Sequence, residues 1–223
     1  MYLVKGLKDF FVYTGKKLFS IDENSLEYTF LILGENQVGK TSFINKAIND
    51  SFDLEIDSTP SIKQYHMEFK LGYNKIGIKL VDVATAELSK NHGYIYHNIN
   101  GAFILYDITK HETFEKIQTY IVDIIGNIGD NISIILIGNK SDLKNLRAVH
   151  GKELKDLAFQ FNCDHSEVTC TDENSVLDIV KFMVFKAYYN SLSEEKKEEI
   201  LKMMYNNNPI LIYALIMYKY INI

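Results

Sequence analysis

Apolar positions follow two rhythms along the chain. Tyr28–Leu33, Gly101–Tyr106 and Ile132–Ile137 are short, almost continuously apolar runs bounded by Gly or Asn. Strands buried on both faces of a parallel sheet read this way. His66–Leu71 and Gly77–Val81 flank the turn-forming residues Gly72–Asn74 and predict an antiparallel hairpin. Between these runs, helical spacing predicts helices over about 40–49, 111–126, 150–161 and 174–190. Such alternation predicts a three-layer α/β domain with right-handed crossovers over residues 28–190.

Two extensions flank that domain. Residues 1–27 carry Leu3, Leu7, Phe10, Phe11 and Leu18 near helical spacing, with Lys5, Lys8, Lys16 and Lys17 among them, and read as an amphipathic segment. Residues 191–223 open with Ser191 and Glu194 at capping-box spacing, so a helix is expected to about Tyr205. Asn206–Pro209 breaks it, and Ile210–Ile223 is almost wholly apolar. That last run is shorter than the ~18–20 residues a bilayer span requires.

Composition narrows the function classes. The 223 residues carry a formal charge of −5, 47% are hydrophobic and 24% charged, which excludes wholesale disorder. The acidic balance argues against a protein that coats nucleic acid. Two cysteines, Cys163 and Cys170, are too few for a disulfide scaffold or a four-thiolate zinc site and fit a reducing cytosol. The six histidines show no metal-ligand spacing and read as surface or loop residues. Lysines interrupt the apolar start of the chain, so no secretory signal is expected there.

The chemistry sits in two motifs. Gly34-Glu35-Asn36-Gln37-Val38-Gly39-Lys40-Thr41, followed by Ser42, matches G-x-x-x-x-G-K-[ST] between a predicted strand and a predicted helix. Successive backbone N–H groups at a helix N-terminus form a cradle for phosphate, and the dipole there favours anions. Lys40 is placed to reach the β- and γ-phosphates and the Thr41 hydroxyl to bind Mg²⁺. The second motif, Asn139-Lys140-Ser141-Asp142, directly follows an apolar strand and begins 99 residues beyond Lys40. Together these residues resemble the small GTPases of the Ras superfamily, nearest the Rab branch.

That resemblance covers 28–190 and implies a P-loop GTPase domain with a six-stranded, mostly parallel sheet, binding GTP or GDP with Mg²⁺. It implies that Asn139 fixes the base and its loop, that the Lys140 stem stacks on the ring, and that Asp142 accepts from the guanine N1–H and exocyclic amine. A site built on such hydrogen bonds rejects an analogue lacking them by ~10⁴-fold or more. The resemblance also assigns Thr59 as the switch threonine that closes on Mg²⁺, and Asp82 as the first residue of D-x-x-G beside the metal. Thr169, Cys170 and Thr171 stand where the family's S-A-K loop meets the guanine oxygen.

Departures from the family pattern carry as much information. The D-x-x-G glycine is Thr85, a stiff β-branched residue that does not readily take φ > 0. The next position, where the family has the glutamine that orients the attacking water, is Ala86. Asn36 and Gln37 replace small P-loop residues; Gln37 either crowds the phosphates or partly substitutes for the missing glutamine. Arg147 is the sole arginine, so no arginine finger in cis is expected. Pro60 biases Thr59 toward extended geometry. Val81 stands where Rab proteins carry tryptophan, and the sequence has no Trp.

Neither cysteine lies near residue 223, so prenylation is not expected, and Tyr2 excludes N-myristoylation. Residues 1–27 and 209–223 either pack on the domain or supply peripheral membrane contact. The expected protein is therefore a cytoplasmic switch, peripheral on endomembranes in the second case, that works with protein effectors and regulators. Weak GTP hydrolysis is expected, with Lys40 and Gln37 as its catalytic candidates. The rival reading is an inactive pseudo-GTPase scaffold. The guanine motif and the strand pair before Asp82 argue against a P-loop kinase or ATPase.

Overall fold

The computed structural model describes residues 26–48, 56–58, 62–71, 74–84, 93–171, 175–198 and 202. The first extension, apart from its last two residues, and nearly all of the chain beyond Glu198 therefore lie outside the described residues. Among the described residues, seven strands form one sheet: β1 (Leu26–Leu33), β2 (Ile56–Ser58), β3 (Ile62–Leu71), β4 (Asn74–Val83), β5 (Gly101–Asp107), β6 (Ser133–Asn139) and β7 (Asp164–Glu167). Their order is β2-β3-β4-β1-β5-β6-β7. The β3–β4 hairpin and the β2–β3 pair are antiparallel, and every other pairing is parallel. The mostly parallel α/β sheet predicted from sequence is present, with the three-residue β2 added at its edge.

Helices cover both faces. On one side α1 (Lys40–Ile48) and α5 (Ser175–Ser191) bury Phe43, Ile44, Val180, Met183 and Val184 against Phe30, Ile32, Ile78 and Leu80. On the other, α2 (His111–Glu115), α3 (Ile117–Ile128) and α4 (Gly151–Gln160) cover Leu31, Leu33, Ile104 and Leu136. Every residue of β5 and β6 is buried, which explains why those strands read as almost continuously apolar runs.

Two local expectations change. The helix expected over 111–126 is divided at Lys116. Its first turn is aimed by the end of β5, where Thr113 Oγ1 accepts from the Asp107 N–H at 3.1 Å and donates to the Lys110 carbonyl at 2.7 Å. The longer piece follows the sheet instead, burying Ile117, Tyr120, Ile121 and Ile124. The capping box expected at Ser191 also moves. Ser191 remains inside α5, its hydroxyl donating to the Tyr188 carbonyl at 2.7 Å, while the Lys196 and Lys197 N–H groups bond to Ser193. Leu192 packs against the core, so the chain turns two residues later than the motif predicted.

The start of α2 is joined to α4 by one imidazole. His111 Nε2 lies 3.0 Å from Glu153 Oε2 and His111 Nδ1 3.3 Å from Glu115 Oε1; Glu153 also accepts from the His150 N–H at 2.8 Å, capping α4. Hydrogen bonding to Glu153, more than to Glu115, raises the His111 pKa. A folded-state pKa above the unfolded one adds stability that is complete below the unfolded value and disappears as pH rises through the folded value. His111→Gln should therefore lower the melting temperature at pH 5.5 and leave it nearly unchanged at pH 8.5. Thermal unfolding of both proteins across that range checks the sign.

Candidate functional site

Strand order places the site. β1 lies between β4 and β5, so the chain leaves β1 where the sheet's winding reverses, the point at which open α/β sheets bind ligands beyond their carboxyl ends. Gly34–Gly39 follows β1, Asp82 is next to last in β4, Asp107 ends β5, Asn139 ends β6, and Thr169–Thr171 follows β7. One edge of the sheet thus collects the predicted groups.

The phosphate loop requires its glycines. Gly34 has φ +141°, and a Cβ there would lie 2.3 Å from the Leu105 carbonyl oxygen. Gly39 has φ +98°, and its Cβ would lie 2.3 Å from Asn139 Nδ2. Gln37, also left-handed at φ 65°, occupies a conformation that costs a side-chain-bearing residue about 1 kcal/mol or more. Gln37 is exposed, as are Asn36, Thr41 and Ser42, whereas Val38 is fully buried.

Lys40 folds back over this loop, its Nζ donating to the carbonyls of Gly34 at 2.8 Å and Glu35 at 3.0 Å. Burial lowers the Lys40 pKa, opposed by the carboxylates of Asp82 and Glu35. Burial raises that of Asp82, opposed by Lys40 and by Lys63, its cross-strand neighbour. The ammonium is thus poised in a partly dehydrated place where a polyphosphate would supply the missing negative charge. Glu35 also accepts from the Tyr120 hydroxyl at 2.5 Å, which ties the loop to α3.

The second motif is fastened to the first. Asn139 is 2% exposed, and its Nδ2 donates to the Val38 carbonyl at 2.8 Å. Its Oδ1 accepts from the Lys140 N–H at 2.8 Å and from the Cys170 thiol at 3.6 Å. Lys140 Nζ donates to the Gln37 carbonyl at 3.0 Å and to Asp107 Oδ2 at 2.5 Å. The Ser141 N–H reaches the Val168 carbonyl at 3.0 Å, joining this loop to the Thr169–Thr171 loop, where the two threonine hydroxyls bond at 2.7 Å. Asp142 is exposed at the rim.

These observations bring Gly34–Ser42, Asp82, Asn139, Lys140, Asp142 and Thr169–Thr171 to one edge; Thr59, Pro60, Thr85 and Ala86 lie outside the described residues. The glycine cradle, the ammonium above it, the adjacent Thr41 hydroxyl and the half-buried Asp82 carboxylate suit a magnesium-bound nucleotide triphosphate or diphosphate. The described residues hold no cluster of three or more His, Cys, Asp or Glu side chains able to bind a metal alone. Shared coordination with phosphate is the arrangement that such Mg²⁺ sites use.

The Ras family model matches residues 29–189. The chain belongs to the Ras family. Among curated relatives, the Ras-related protein RABA1c of Arabidopsis thaliana is 27% identical over 157 residues, 70% of this chain and 72% of that protein. The Ras-related protein Rab11B of Nicotiana tabacum is 28% identical over 158 residues, 69% of this chain and 72% of that one. The Ras-superfamily, Rab-like reading of the sequence is correct, and family members bind GTP and GDP, generally with Mg²⁺.

Sequence reasoning missed Asp107, Tyr120 and Glu167 in this Ras-family domain. Asp107 is 1% exposed and holds Lys140. An Asp closing an apolar strand two residues before a Thr was an available signal, because that pairing makes a local Asx-type turn. Glu167 clasps Arg147, with Nη1–Oε1 and Nη2–Oε2 both at 2.7 Å. The sole arginine is thus engaged in a two-point ion pair. An open cavity of about 600 Å³ lies over another part of the sheet, lined by Gln64, Lys79, Tyr94 and Asn100 among others, and holds none of the predicted site residues. No described helix is long and apolar enough to cross a membrane.

Gly39→Ala tests the contact between the two motifs. The new methyl would strike Asn139 Nδ2 in a backbone conformation that alanine disfavours, so nucleotide affinity should fall by at least about 100-fold. Gly126→Ala, in α3 with nothing within 4 Å of its Cβ, should bind as the unmodified chain does. Fluorescent-nucleotide titration distinguishes the two.

Proposed function

We propose that this protein is a guanine-nucleotide switch with slow intrinsic GTP hydrolysis, acting in vesicle trafficking or signalling. The observation that carries the reading is the Asn139–Val38 hydrogen bond, which joins a phosphate loop to a guanine-reading motif at one sheet edge. In this reading Gly34–Ser42 enclose the phosphates, Asn139, Lys140 and Asp142 read the base, and Thr169–Thr171 close over it. Thr41, Thr59 and Asp82 would hold Mg²⁺, which when bound supplies charge neutralisation for the phosphate oxygens.

Hydrolysis proceeds by in-line attack of water on the γ-phosphorus: a new P–O bond forms, the bond to the β,γ-bridging oxygen breaks, and the water's protons pass to the phosphate products. Lys40 and the loop N–H groups stabilise the charge that develops. Ala86 cannot orient the water, which makes the reaction slow. Gln37 is the side chain available to substitute in part. Exchange factors, activating proteins and effectors are the partners this switch requires. A cytoplasmic protein peripheral on endomembranes, with residues 1–27 or 209–223 touching lipid, completes the proposal.

A non-hydrolysing scaffold is the second reading, favoured by Thr85 and Ala86. Denaturing the purified protein and identifying the released nucleotide separates them: GDP supports the slow enzyme, GTP a locked state, and no nucleotide the scaffold. Ala86→Gln should raise the single-turnover hydrolysis rate by about 10- to 100-fold. An unmodified chain already as fast as ordinary Ras-like proteins refutes the slow-switch reading, unless Gln37→Ala then abolishes the rate.

A further inference from the structure

We propose that Asp107 is a positioning residue for the nucleotide base, fixing the Lys140 ammonium so that the lysine's hydrocarbon stem is held ready to stack on a purine ring. Asp107 governs how long nucleotide stays bound without touching it. This inference rests on the proposed occupancy of the site by a guanine nucleotide.

Asp107 ends β5 directly opposite Asn139 in the sheet register and is 1% exposed. Its two carboxylate oxygens have separate tasks. Oδ1 accepts from the Thr109 N–H at 2.9 Å and from the Thr109 hydroxyl at 2.7 Å, which sets the plane of the group. Oδ2 is left for Lys140 Nζ at 2.5 Å. The Asp107 N–H is fixed as well, donating to Thr113 Oγ1 at 3.1 Å. Every degree of freedom of this carboxylate is thus taken up by β5 and the turn that follows.

The ammonium it holds has a second anchor on the Gln37 carbonyl at 3.0 Å. Lys140 has a left-handed backbone, φ 63°, and its side chain crosses to partners in two other segments, Gln37 and Asp107. A lysine stem free in solvent samples many rotamers, and stacking on a ring would have to order them. Anchoring the charged end at two points, between the end of β5 and the phosphate loop, removes that disorder before the nucleotide arrives. Electrostatics favour the same arrangement, since a buried carboxylate requires a cation and charge-assisted bonds are the strong ones.

A turn-capping role for Asp107 would leave Lys140 out of account, and substitution separates the two. Asp107→Asn keeps an oxygen for Thr109, and with it the turn, but loses the charge that attracts the ammonium. Lys140→Met keeps a stem of similar length and removes the ammonium itself. Release of a fluorescent GDP analogue from full-length Asp107→Asn should be roughly ten-fold faster than from the unmodified protein, as loss of one charge-assisted hydrogen bond warrants. The inosine diphosphate analogue should be released faster by the same factor, because the stem stacks on either purine. The preference for GDP over inosine diphosphate, which depends on the exocyclic amine facing Asp142, should not change. Lys140→Met should match Asp107→Asn, and the double variant should be no faster than either. Melting of nucleotide-free Asp107→Asn should stay within a few degrees of the unmodified chain.

Unchanged release from Asp107→Asn, or effects that multiply in the double variant, would overturn the proposal while the unmodified protein still binds GDP. So would a changed GDP-to-inosine preference in Asp107→Asn. Should Asp107→Asn fail to fold, unchanged release from Lys140→Met overturns it equally, and roughly ten-fold faster release supports it. Failure of the unmodified protein to bind GDP would remove both this inference and the function on which it rests.

Discussion

The hydrogen bond from Asn139 Nδ2 to the Val38 carbonyl is the contact on which the rest of the site depends. It joins residues 101 positions apart in sequence, and both partners are buried, so loss of either would strand a polar group without water. The position of Gly39 follows from it. Asn139 can approach the loop only where no Cβ intervenes, and the backbone there adopts a φ that glycine tolerates. A motif residue known for phosphate binding is therefore equally a packing residue for the base loop. The geometry of the two motif loops is set together rather than loop by loop.

Around that bond the strain is shared. Gln37 and Lys140 are both left-handed residues with side chains, and each such residue costs about 1 kcal/mol or more. Lys140 Nζ bonds to the carbonyl of Gln37, so the two unfavourable conformations support each other across the loop gap. Such strain persists only where surrounding structure over-determines it, and here the determinants are the carboxylate of Asp107 and the side chain of Asn139. The Cys170 thiol extends the bracing to the third loop through Asn139 Oδ1, while burial raises the thiol's pKa and keeps it the protonated donor that this contact requires. All three loops beyond β1, β6 and β7 are thus one cross-linked unit.

What the sequence revealed follows the same physics. β5 and β6 were legible because burial on both faces leaves few polar residues in a strand, and theirs stand at or next to the ends of the apolar runs: Ser133 at the start of β6, Asp107 and Asn139 at the ends of β5 and β6. β7 was not. Asp164-His165-Ser166-Glu167 is polar throughout, an edge strand paired only with β6, whose Asp164 is matched by the Lys186 ammonium from α5. β2 escaped notice because three residues carry no period. In the site, Gly34–Thr41 and Asn139–Asp142 were readable as fixed motif spacings, those expected of residues that meet a phosphate and a base. Asp107, Tyr120 and Glu167 have no such spacing, since they act through Lys140, Glu35 and Arg147, and only the fold brings each pair together. A motif records contacts to a ligand more faithfully than contacts among the residues that support it.

The same distinction explains how the sequence can depart from the family at Thr85 and Ala86 and keep its binding motifs intact. Asn139, Lys140 and Cys170 are committed to the phosphate loop and to one another by bonds that run between loops, so substitution at any one disturbs several. Positions 85 and 86 come after β4 in sequence, and the β4 residue that enters the site, Asp82, does so through the sheet rather than through the cross-linked loops. Asp82 reaches the cluster by charge, acting on Lys40, and its register opposite Lys63 is fixed by the β3–β4 hairpin. Asp82 and the groups proposed to hold the nucleotide are thus carried by different parts of the backbone, the end of a strand in the one case and the cross-linked loops in the other.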